Sequence, residues 1–185
     1  MTECKNIFAI LEELKENAKQ VDDEKLKEVE KLITEANRIF IGGAGRSGFA
    51  ARGFSNRLMH LGYTVYFVGE PTTPSIQEGD LLIVGSGSGN TASLVSNAKK
   101  AKEQGAKVAT LTMFPENKIG SMADAVIRVP GVTEKVEGKG QESVQASGSS
   151  FEELCWITYD AMVMDLMKIT NQTDKDLFKR HANME

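Results

Sequence analysis

Apolar positions recur along the chain with two different periods, and each period predicts a different kind of element. In the first 36 residues they lie three or four positions apart, as on one face of a helix, so two helices are predicted there. Asp22 and Asp23 lie between the two patterns and are residue types that favour a helix N-cap. The two apolar stripes consist of Ile7, Leu11, Leu14 and Ala18, and of Leu26, Val29, Leu32 and Ile33.

From residue 38 onward, short apolar runs alternate with helical patterns. The predicted strands are residues 38–41, 64–68, 80–84, 107–112 and 125–129. The helices between them are residues 47–61, 91–104 and a short one at 117–122. Such alternation builds a parallel sheet with helices on both faces. We therefore predict a single α/β domain over residues 1–185, a doubly wound three-layer α/β/α sandwich whose five parallel strands have the order 2-1-3-4-5.

A long irregular segment and a long apolar helix follow the last predicted strand. Residues 130–148 have no clear period, and a segment of this length inside a compact domain is usually functional or mobile. The helix predicted at 151–169 is apolar almost all round, which favours either central burial or packing against another subunit. With a short helix at 174–180 it forms a C-terminal helical tail over residues 149–185.

Two loops of small residues carry the first chemical signal. IFIGGAGRSG at 39–48 and LLIVGSGSGNT at 81–91 each close a predicted strand and open a predicted helix. A helix N-terminus offers free N–H groups and the positive end of the helix dipole, so it attracts anions. With strands one and three as neighbours, both loops would face one crevice at the switch point of the sheet. The pair predicts a site for a phosphorylated ligand. The alternative, that the glycines only permit tight strand-to-helix turns, explains one such loop better than two.

Known phosphate-binding motifs indicate which class of phosphorylated ligand the two loops suit. GAGRSG at 43–48 has the form of the dinucleotide-binding fingerprint, but two features argue against that reading. Glu70 lies a little later than the end of the second strand, where the ribose-binding acid is expected, and the second loop has no role in dinucleotide binding. The chain has no phosphate-binding loop of the nucleotide triphosphatase type. The hydroxyl-rich run at 86–91 suits a compact terminal phosphate. Its alternative role is that Ser88 or Asn90 only caps the next helix.

Composition removes several other classes of partner. The net charge of −4 gives no reason to expect a nucleic acid or an anionic membrane as partner. Two cysteines, Cys4 and Cys155, are too few for a disulfide framework. The sequence has no apolar run of ~18 residues and no signal-peptide core. We therefore expect a cytoplasmic protein.

Several segments together make the chain similar to a known family. They are GAGRSG at 43–48, RLMHLG at 57–62, VGEPTTPS at 68–75, GSGSGNT at 85–91, GSSFEE at 148–153 and RHANME at 180–185. The glycine loops resemble those of the sugar isomerase (SIS) domain superfamily. The LMHLG, VGE-x-x-TP and RHAN segments resemble its 6-phospho-3-hexuloisomerase branch.

The resemblance implies a reaction and its setting. It implies an SIS-type fold preceded by two N-terminal helices over residues 1–36. The implied enzyme converts D-arabino-hex-3-ulose 6-phosphate to fructose 6-phosphate through a cis-enediol. This reaction belongs to the ribulose monophosphate route of formaldehyde fixation. No cofactor or metal is implied. The implied partners are the phosphosugar, a hexulose-phosphate synthase acting beside it, and copies of the chain in a tetramer of paired dimers.

Two alternative functions are also compatible with the sequence. One is another SIS phosphosugar isomerase, acting on arabinose 5-phosphate or a heptose phosphate. The other is a non-catalytic phosphosugar sensor, which commonly carries a helix-turn-helix for DNA. The first 36 residues are acidic and lack the basic recognition face that such a sensor needs.

The resemblance also implies a set of site residues. Glu152 is the candidate base, since the family carries a glutamate at this point. Its alternative role is structural, because Ser149 to Glu152 and Ser150 to Glu153 both have the form of a capping box. The sequence leaves open which of the two glutamates faces the crevice. The residues assigned to phosphate or sugar binding are Gly45, Ser47, Ser86, Gly87, Ser88 and Thr91.

Three further charged or titratable residues are candidates. Arg46 opposes the dipole at a helix start, so we expect it to bind substrate hydroxyls or stabilise the enediolate. Its alternative role is a structural salt bridge, for which Glu70 is the candidate partner. His181, in the polar C-terminal tail, is a candidate proton shuttle or substrate contact that a partner subunit would supply, or else a solvated tail residue. His60 is expected at the C-terminal end of a helix, where the dipole favours a cation.

Overall fold

The helices and strands follow the predicted order. The computed structural model describes residues 3–132 and 142–184. The helices are α1 (Lys5–Ala18), α2 (Asp23–Glu35), α3 (Gly45–His60), α4 (Ala92–Glu103), α5 (Ser149–Ile169) and α6 (Asp174–Phe178). The strands are β1 (Ile39–Gly43), β2 (Val65–Phe67), β3 (Leu81–Gly85), β4 (Lys107–Thr112) and β5 (Ala125–Arg128). Only the predicted short helix differs in kind, because it is a single 3₁₀ turn, Gly120–Met122.

The five strands form one sheet in the order β2-β1-β3-β4-β5, and every pairing is parallel. The predicted topology is therefore confirmed. In the central pair Ile41 lies opposite Ile83, and Gly43 lies opposite Gly85. Both small-residue loops consequently leave the same edge of the sheet side by side.

Helices cover both faces of the sheet, which confirms the three-layer sandwich. Ile39, Ile41 and Ile83 lie in the larger apolar cluster, with side chains of α2, α3 and α5. Phe40 and Val84 point the other way and pack with α4. Because both faces are buried, the strands are continuous apolar runs rather than alternating ones.

α5 buries one face only. Leu154, Met162 and Leu166 are in the core, whereas Trp156 and Met164 on the opposite face are 47% and 62% exposed. α1 packs against α5 and also exposes part of its apolar stripe. Central burial of α5 is therefore wrong, and an apolar surface remains on α1 and α5. Residues 133–141 of the predicted irregular segment, and residue 185 of the C-terminal motif, lie outside the described residues.

Backbone contact between two glycines sets the position of α3. A Cβ atom on Gly48 would lie 2.9 Å from the carbonyl oxygen of Gly43, and one on Gly43 would lie 2.8 Å from the Cα of Gly48. The first turn of α3 therefore rests directly on the end of β1. Gly53, in the same helix, is crowded instead by the ring of Trp156, which is half exposed and can turn aside.

We expect Gly48→Ala to be much more destabilising than Gly53→Ala. The first change forces backbone apart and should cost about 2 kcal/mol or more, which lowers Tm by about 4–8 °C. The second gains helix propensity while Trp156 moves, so its Tm should stay within about 3 °C of the original. Thermal unfolding followed by circular dichroism measures both. Equal Tm values for the two variants would contradict the backbone contact.

Glu30 of α2 is a carboxyl group buried without full hydrogen bonding. The residue is 3% exposed, and its Oε1 has no hydrogen-bond partner. Burial raises the pKa of Glu30, and the negative charges of Asp165 and Asp23 raise it further, whereas Lys27 and Lys168 lower it. The ionised form is therefore disfavoured in the folded chain, and stability falls as the pH rises above the ordinary value of 4.5.

Glu30→Gln is expected to stabilise the protein at neutral and alkaline pH. The neutral amide avoids the burial of a charge, so the free energy of unfolding should rise by about 1 kcal/mol at about pH 8. At about pH 4 it should change little, because Glu30 is then largely protonated. Urea unfolding at the two pH values measures the difference. Glu28→Gln, an exposed carboxylate on the same helix, is the control. An equal effect of both variants at about pH 8 would show that net charge, rather than burial, is responsible.

Candidate active site

A crevice of about 420 Å³ lies beyond the carboxyl ends of β1 and β3. Its volume is in the range of small-molecule sites. Eight of the nine site residues predicted from the sequence line it together: Gly45, Arg46, Ser47, Ser86, Gly87, Ser88, Thr91 and Glu152. The other lining residues are Ala44, Gly85, Leu94, Met113, Ser147, Gly148 and Phe151. The expectation that both loops face one crevice is confirmed.

The first loop turns directly into α3. Gly45 has a φ of +58°, a left-handed conformation that favours glycine, and no side-chain oxygen caps the helix at Ala44. The first helical hydrogen bond is donated by the Gly48 amide to the Ala44 carbonyl, 3.2 Å away. The amides of the preceding turn are therefore left for a ligand at this helix start.

The second loop is tied down on one side and open on the other. The Ser86 amide donates to the Leu111 carbonyl, the Gly89 amide donates to the Ser86 carbonyl, and the Met113 amide donates to the Gly87 carbonyl. Within the ranges that the structure describes, no residue accepts a hydrogen bond from the Gly87 or Ser88 amide. These two amides are available beside the crevice.

Neither Ser88 nor Asn90 caps α4, so that structural alternative is wrong. The N-cap is Thr91, and its side chain makes no capping bond. The Ser88 hydroxyl instead accepts a long hydrogen bond from the Asn90 amide, at 3.4 Å. The hydroxyls of this loop therefore stay at the crevice rather than serving the helix.

Helix starts without a side-chain cap converge on the crevice from three directions. The N-cap residues of α3, α4 and α5 are Ala44, Thr91 and Gly148, and all three line the crevice. Away from it, the side chain of Asp22 caps α2, and Thr173 begins the capping box of α6. The start of α1 also lacks a side-chain cap, but no residue of α1 lines the crevice. Three uncapped N-termini around one cavity supply N–H donors and positive dipole ends for an anion.

Among the described residues that line the crevice, Arg46 and Glu152 alone have an acidic or basic side chain, and they contact each other. Arg46 Nε lies 2.5 Å from Glu152 Oε2. Glu152 is largely shielded, with 18% of its side chain exposed, whereas 63% of Arg46 is exposed. The expected alternative pairing of Arg46 with Glu70 is wrong, because Glu70 pairs with Arg52.

Of the two glutamates in the first turn of α5, one faces the crevice. Glu152 lines it and Glu153 does not, and Glu153 Oε2 is buried without a hydrogen-bond partner. The predicted capping boxes are wrong. The helix starts from Gly148, whose left-handed φ of +89° ends the preceding segment, so Ser149 and Ser150 already lie inside the helix.

Two other titratable side chains, those of Cys155 and Tyr159, are buried and do not line the crevice. Burial raises the pKa of the Cys155 thiol and of the Tyr159 phenol well above their usual values, so both are neutral. The Tyr159 hydroxyl lies against Gly85, where a Cβ would come within 2.8 Å of it. Neither group lines the crevice, whereas the Glu152 carboxylate does.

His181 lies at the opposite end of α3 from the crevice of its own chain. Its ring stacks on that of His60, with centroids 5.2 Å apart, and His60 is the last residue of the helix that starts at Gly45. The two ends of this 16-residue helix are about 23 Å apart. Burial, together with Arg57 and His181, lowers the pKa of His60, so the expected cation at this helix end is replaced by a buried neutral ring.

Sequence reasoning missed the apolar side of the crevice. Met113 follows β4 and Phe151 opens α5, and a Cβ on Gly87 would lie 2.6 Å from Met113 Cε and 3.3 Å from the Phe151 ring. Met113 could have been found from its place directly after a strand of the same sheet edge. Across residues 3–132 and 142–184, no three His, Cys, Asp or Glu side chains are grouped as metal ligands, and no helix is long and apolar enough to span a membrane.

Known proteins share both the sequence and the fold. The SIS domain family matches residues 32–154. A protein of Bacillus subtilis (strain 168) named 3-hexulose-6-phosphate isomerase is 41% identical over 179 residues, which cover 97% of each chain. A protein of the same name from Mycobacterium gastri is 38% identical and covers 97% of this chain and 90% of its own.

A solved structure adds the three-dimensional match. It is that of a hypothetical protein from Methanococcus jannaschii, for which a molecular function of 3-hexulose-6-phosphate isomerase was inferred. It superposes with a TM-score of 0.82 at 35% identity, covering 98% of this chain and all of the other. Sequence and fold together show that this chain belongs to the SIS domain family, in the group that includes the 3-hexulose-6-phosphate isomerases.

Proposed function

We propose that this protein is a phosphosugar isomerase that interconverts D-arabino-hex-3-ulose 6-phosphate and fructose 6-phosphate. The observation that carries the proposal is the pairing of one carboxylate, Glu152, with three uncapped helix starts in a single crevice. An isomerisation of this kind needs an anion site and a base within reach of the sugar, and the crevice contains both. The names of the similar bacterial proteins indicate the same substrate.

The phosphate is assigned to the second loop and the start of α4. Ser86, Ser88 and Thr91 offer hydroxyls, and the amides of Gly87 and Ser88 offer further donors. Several short donors around a small tetrahedral anion can replace its hydration without a basic field. Gly45 and Ser47 at the start of α3 complete the cradle beside the sugar.

Glu152 is assigned as the base of a cis-enediol mechanism. Its carboxylate removes the proton from C2 of the 3-ketose, the electrons form a C2–C3 double bond, and the oxygen at C3 becomes an oxyanion that takes up a proton. The hydroxyl at C2 then loses its proton, the C2 carbonyl forms, and the proton on Glu152 returns to C3. Arg46 holds the carboxylate in place and lies where it can stabilise the developing oxyanion. No step requires a metal or a redox cofactor.

An assembly of subunits is part of the proposal. The apolar surface of α1 and α5 adjoins the crevice, because a groove lined by Leu14, Phe49, Trp156 and Ile157 is also lined by Arg46 and Glu152. Exposed apolar patches of this kind mark interfaces. We propose a tetramer of paired dimers, in which a neighbouring subunit brings its His181 to the crevice as proton shuttle or substrate contact.

The setting follows from the reaction. The substrate is the product of a hexulose-phosphate synthase, so the two enzymes act in sequence in the ribulose monophosphate route of formaldehyde fixation. We place the protein in the cytoplasm, as one domain over residues 1–185, with no nucleic-acid or membrane partner.

Replacement of Glu152 tests both reaction and base. The substrate is generated from formaldehyde and ribulose 5-phosphate by a separate synthase, and fructose 6-phosphate is detected by coupled reduction of NADP. We expect rapid turnover by the unaltered protein and a loss of at least about 100-fold in kcat for Glu152→Gln, because proton transfer depends on the carboxylate. Glu153→Gln, which changes the adjacent carboxylate outside the crevice, should keep near-normal turnover.

Other outcomes reassign the function or the base. Turnover of arabinose 5-phosphate or a heptose phosphate, but not of the hexulose phosphate, would identify a different isomerase of the same fold. Binding of phosphosugars without turnover of any would indicate a sensor. Full activity of Glu152→Gln would keep the reaction and remove Glu152 as its base.

Mixed assemblies test the sharing of the site. Subunits carrying Glu152→Gln and subunits carrying His181→Ala should each be poorly active alone. If each crevice combines Glu152 of one subunit with His181 of another, random 1:1 mixing gives intact pairs in one site of four, and activity should approach about a quarter of the original. Native mass spectrometry confirms that mixed assemblies have formed. No recovery in verified mixed assemblies would contradict the shared site.

A further inference from the structure

A turn that follows β4 packs beneath the second loop of the crevice. Its centre is Asn117, which is 8% exposed and does not line the crevice. Asn117 Oδ1 accepts hydrogen bonds from the amides of Ile119 and Gly120, at 2.9 and 2.7 Å. Its Nδ2 donates to Thr112 Oγ1 at 2.7 Å. A buried asparagine with this many partners has a fixed orientation.

Thr112 passes that orientation on to the loop. A hydroxyl has a single proton, and because Thr112 Oγ1 accepts from Asn117, its own proton is directed to the Gly87 carbonyl, 3.0 Å away. The Met113 amide donates to the same carbonyl at 3.1 Å. The Gly87 carbonyl thus accepts two hydrogen bonds, one from the Thr112 hydroxyl and one from the Met113 amide.

The position of that carbonyl decides where the next amide points. The Gly87 carbonyl and the Ser88 amide belong to one planar trans peptide, in which C=O and N–H point in opposite directions. With the carbonyl drawn down toward Thr112, the Ser88 N–H points away from it, on the side of the crevice. The buried pair therefore orients a donor that the proposed phosphate site uses.

Asn117 holds the loop at a second point. A Cβ on Gly89 would lie within 1.7–2.1 Å of the carboxamide of Asn117, so this side chain rests directly against the Gly89 backbone. The Ile119 amide donates to the Gly89 carbonyl at 3.2 Å. Gly89 also has a φ of +60°, which favours glycine. The two ends of the Gly87–Gly89 segment are thus fixed by the same side chain.

We propose that Asn117 is a positioning residue for the phosphate of the substrate, acting through Thr112 and Gly89 on the Gly87–Ser88 peptide. This proposal rests on the phosphosugar site proposed above. Neither Asn117 nor Thr112 touches the crevice, so their effect on the ligand is indirect. They differ in this from Ser86, Ser88 and Thr91, which supply donors themselves.

Two substitutions interrupt the relay in different ways. Asn117→Asp keeps an acceptor for the turn amides, but it cannot donate to Thr112, whose proton then turns to the carboxylate and leaves the Gly87 carbonyl. Thr112→Val removes the hydroxyl with no change of charge. Thr110→Val is the matched control, because Thr110 lies two residues earlier in the same strand, is buried, and donates in the same way to the Val84 carbonyl inside the sheet.

The readouts are KM and kcat for the hexulose phosphate and the inhibition constant of inorganic phosphate. We expect both Asn117→Asp and Thr112→Val to raise KM and the inhibition constant about fivefold to tenfold, the equivalent of one net hydrogen bond. The change in kcat should be less than about twofold, because the phosphate is held equally before and during the reaction. Thr112→Ser, which keeps the hydroxyl, should restore both constants, and Thr110→Val should leave them unchanged.

The pattern of results separates this proposal from the one on which it rests. If Ser86→Ala and Thr91→Ala weaken phosphate inhibition while Asn117→Asp and Thr112→Val behave like Thr110→Val, the positioning role is overturned and the phosphate site stands. If Ser86→Ala and Thr91→Ala have no effect on phosphate inhibition, the phosphate site itself is overturned. Agreement of the uncharged Thr112→Val with Asn117→Asp excludes the added charge as the cause, and also serves if Asn117→Asp fails to fold.

Discussion

The parallel pairing of β1 with β3 determines where every other part of the crevice lies. Because Gly43 and Gly85 are register partners, two chain reversals begin next to each other at one edge of the sheet. Side chains at these positions would collide with what lies beneath, namely the start of α3 in one case and the Tyr159 hydroxyl in the other. Two helices can therefore begin at the crevice, each with its first amides free. The register of one strand pair thus brings together the donors of the proposed anion site.

The charged side chains of the crevice and its backbone and hydroxyl donors lie at different ends. The protein has a net charge of −4, and within residues 3–132 and 142–184 Arg46 is the one basic residue that lines the crevice. Arg46 is paired with Glu152, so in the proposed mechanism it offsets the charge of the base rather than attracting the phosphate. The phosphate end depends on backbone amides and hydroxyls, whose dipoles are fixed by the fold. This separation allows a carboxylate to operate in the same cavity that binds an anionic substrate.

The sequence predicted the sheet order and the meeting of both loops, because these depend on local patterns and on topology. It could not choose between Glu152 and Glu153, because neighbouring residues of a helix point about 100° apart and the orientation of α5 is set by tertiary packing. It misjudged the start of α5, where the left-handed Gly148 begins the helix and removes the capping role of Ser149. Asn117 carries no sequence signal at all, since its importance comes from lying under a loop 28 residues earlier in the chain.

α3 connects the two ends of the proposed mechanism. Its first turn lines the crevice of its own subunit, and its last turn holds the tail that is proposed to serve a neighbour. At that end Arg180 donates to the His60 carbonyl at 3.0 Å, and its guanidinium lies against Gly62, where a Cβ would come within 3.2 Å. The ring of His181 then stacks on His60. Because a single rigid helix sets the distance between the crevice and the tail, a symmetric assembly would give every crevice the same histidine geometry, and only the subunit interface would remain to be matched to it.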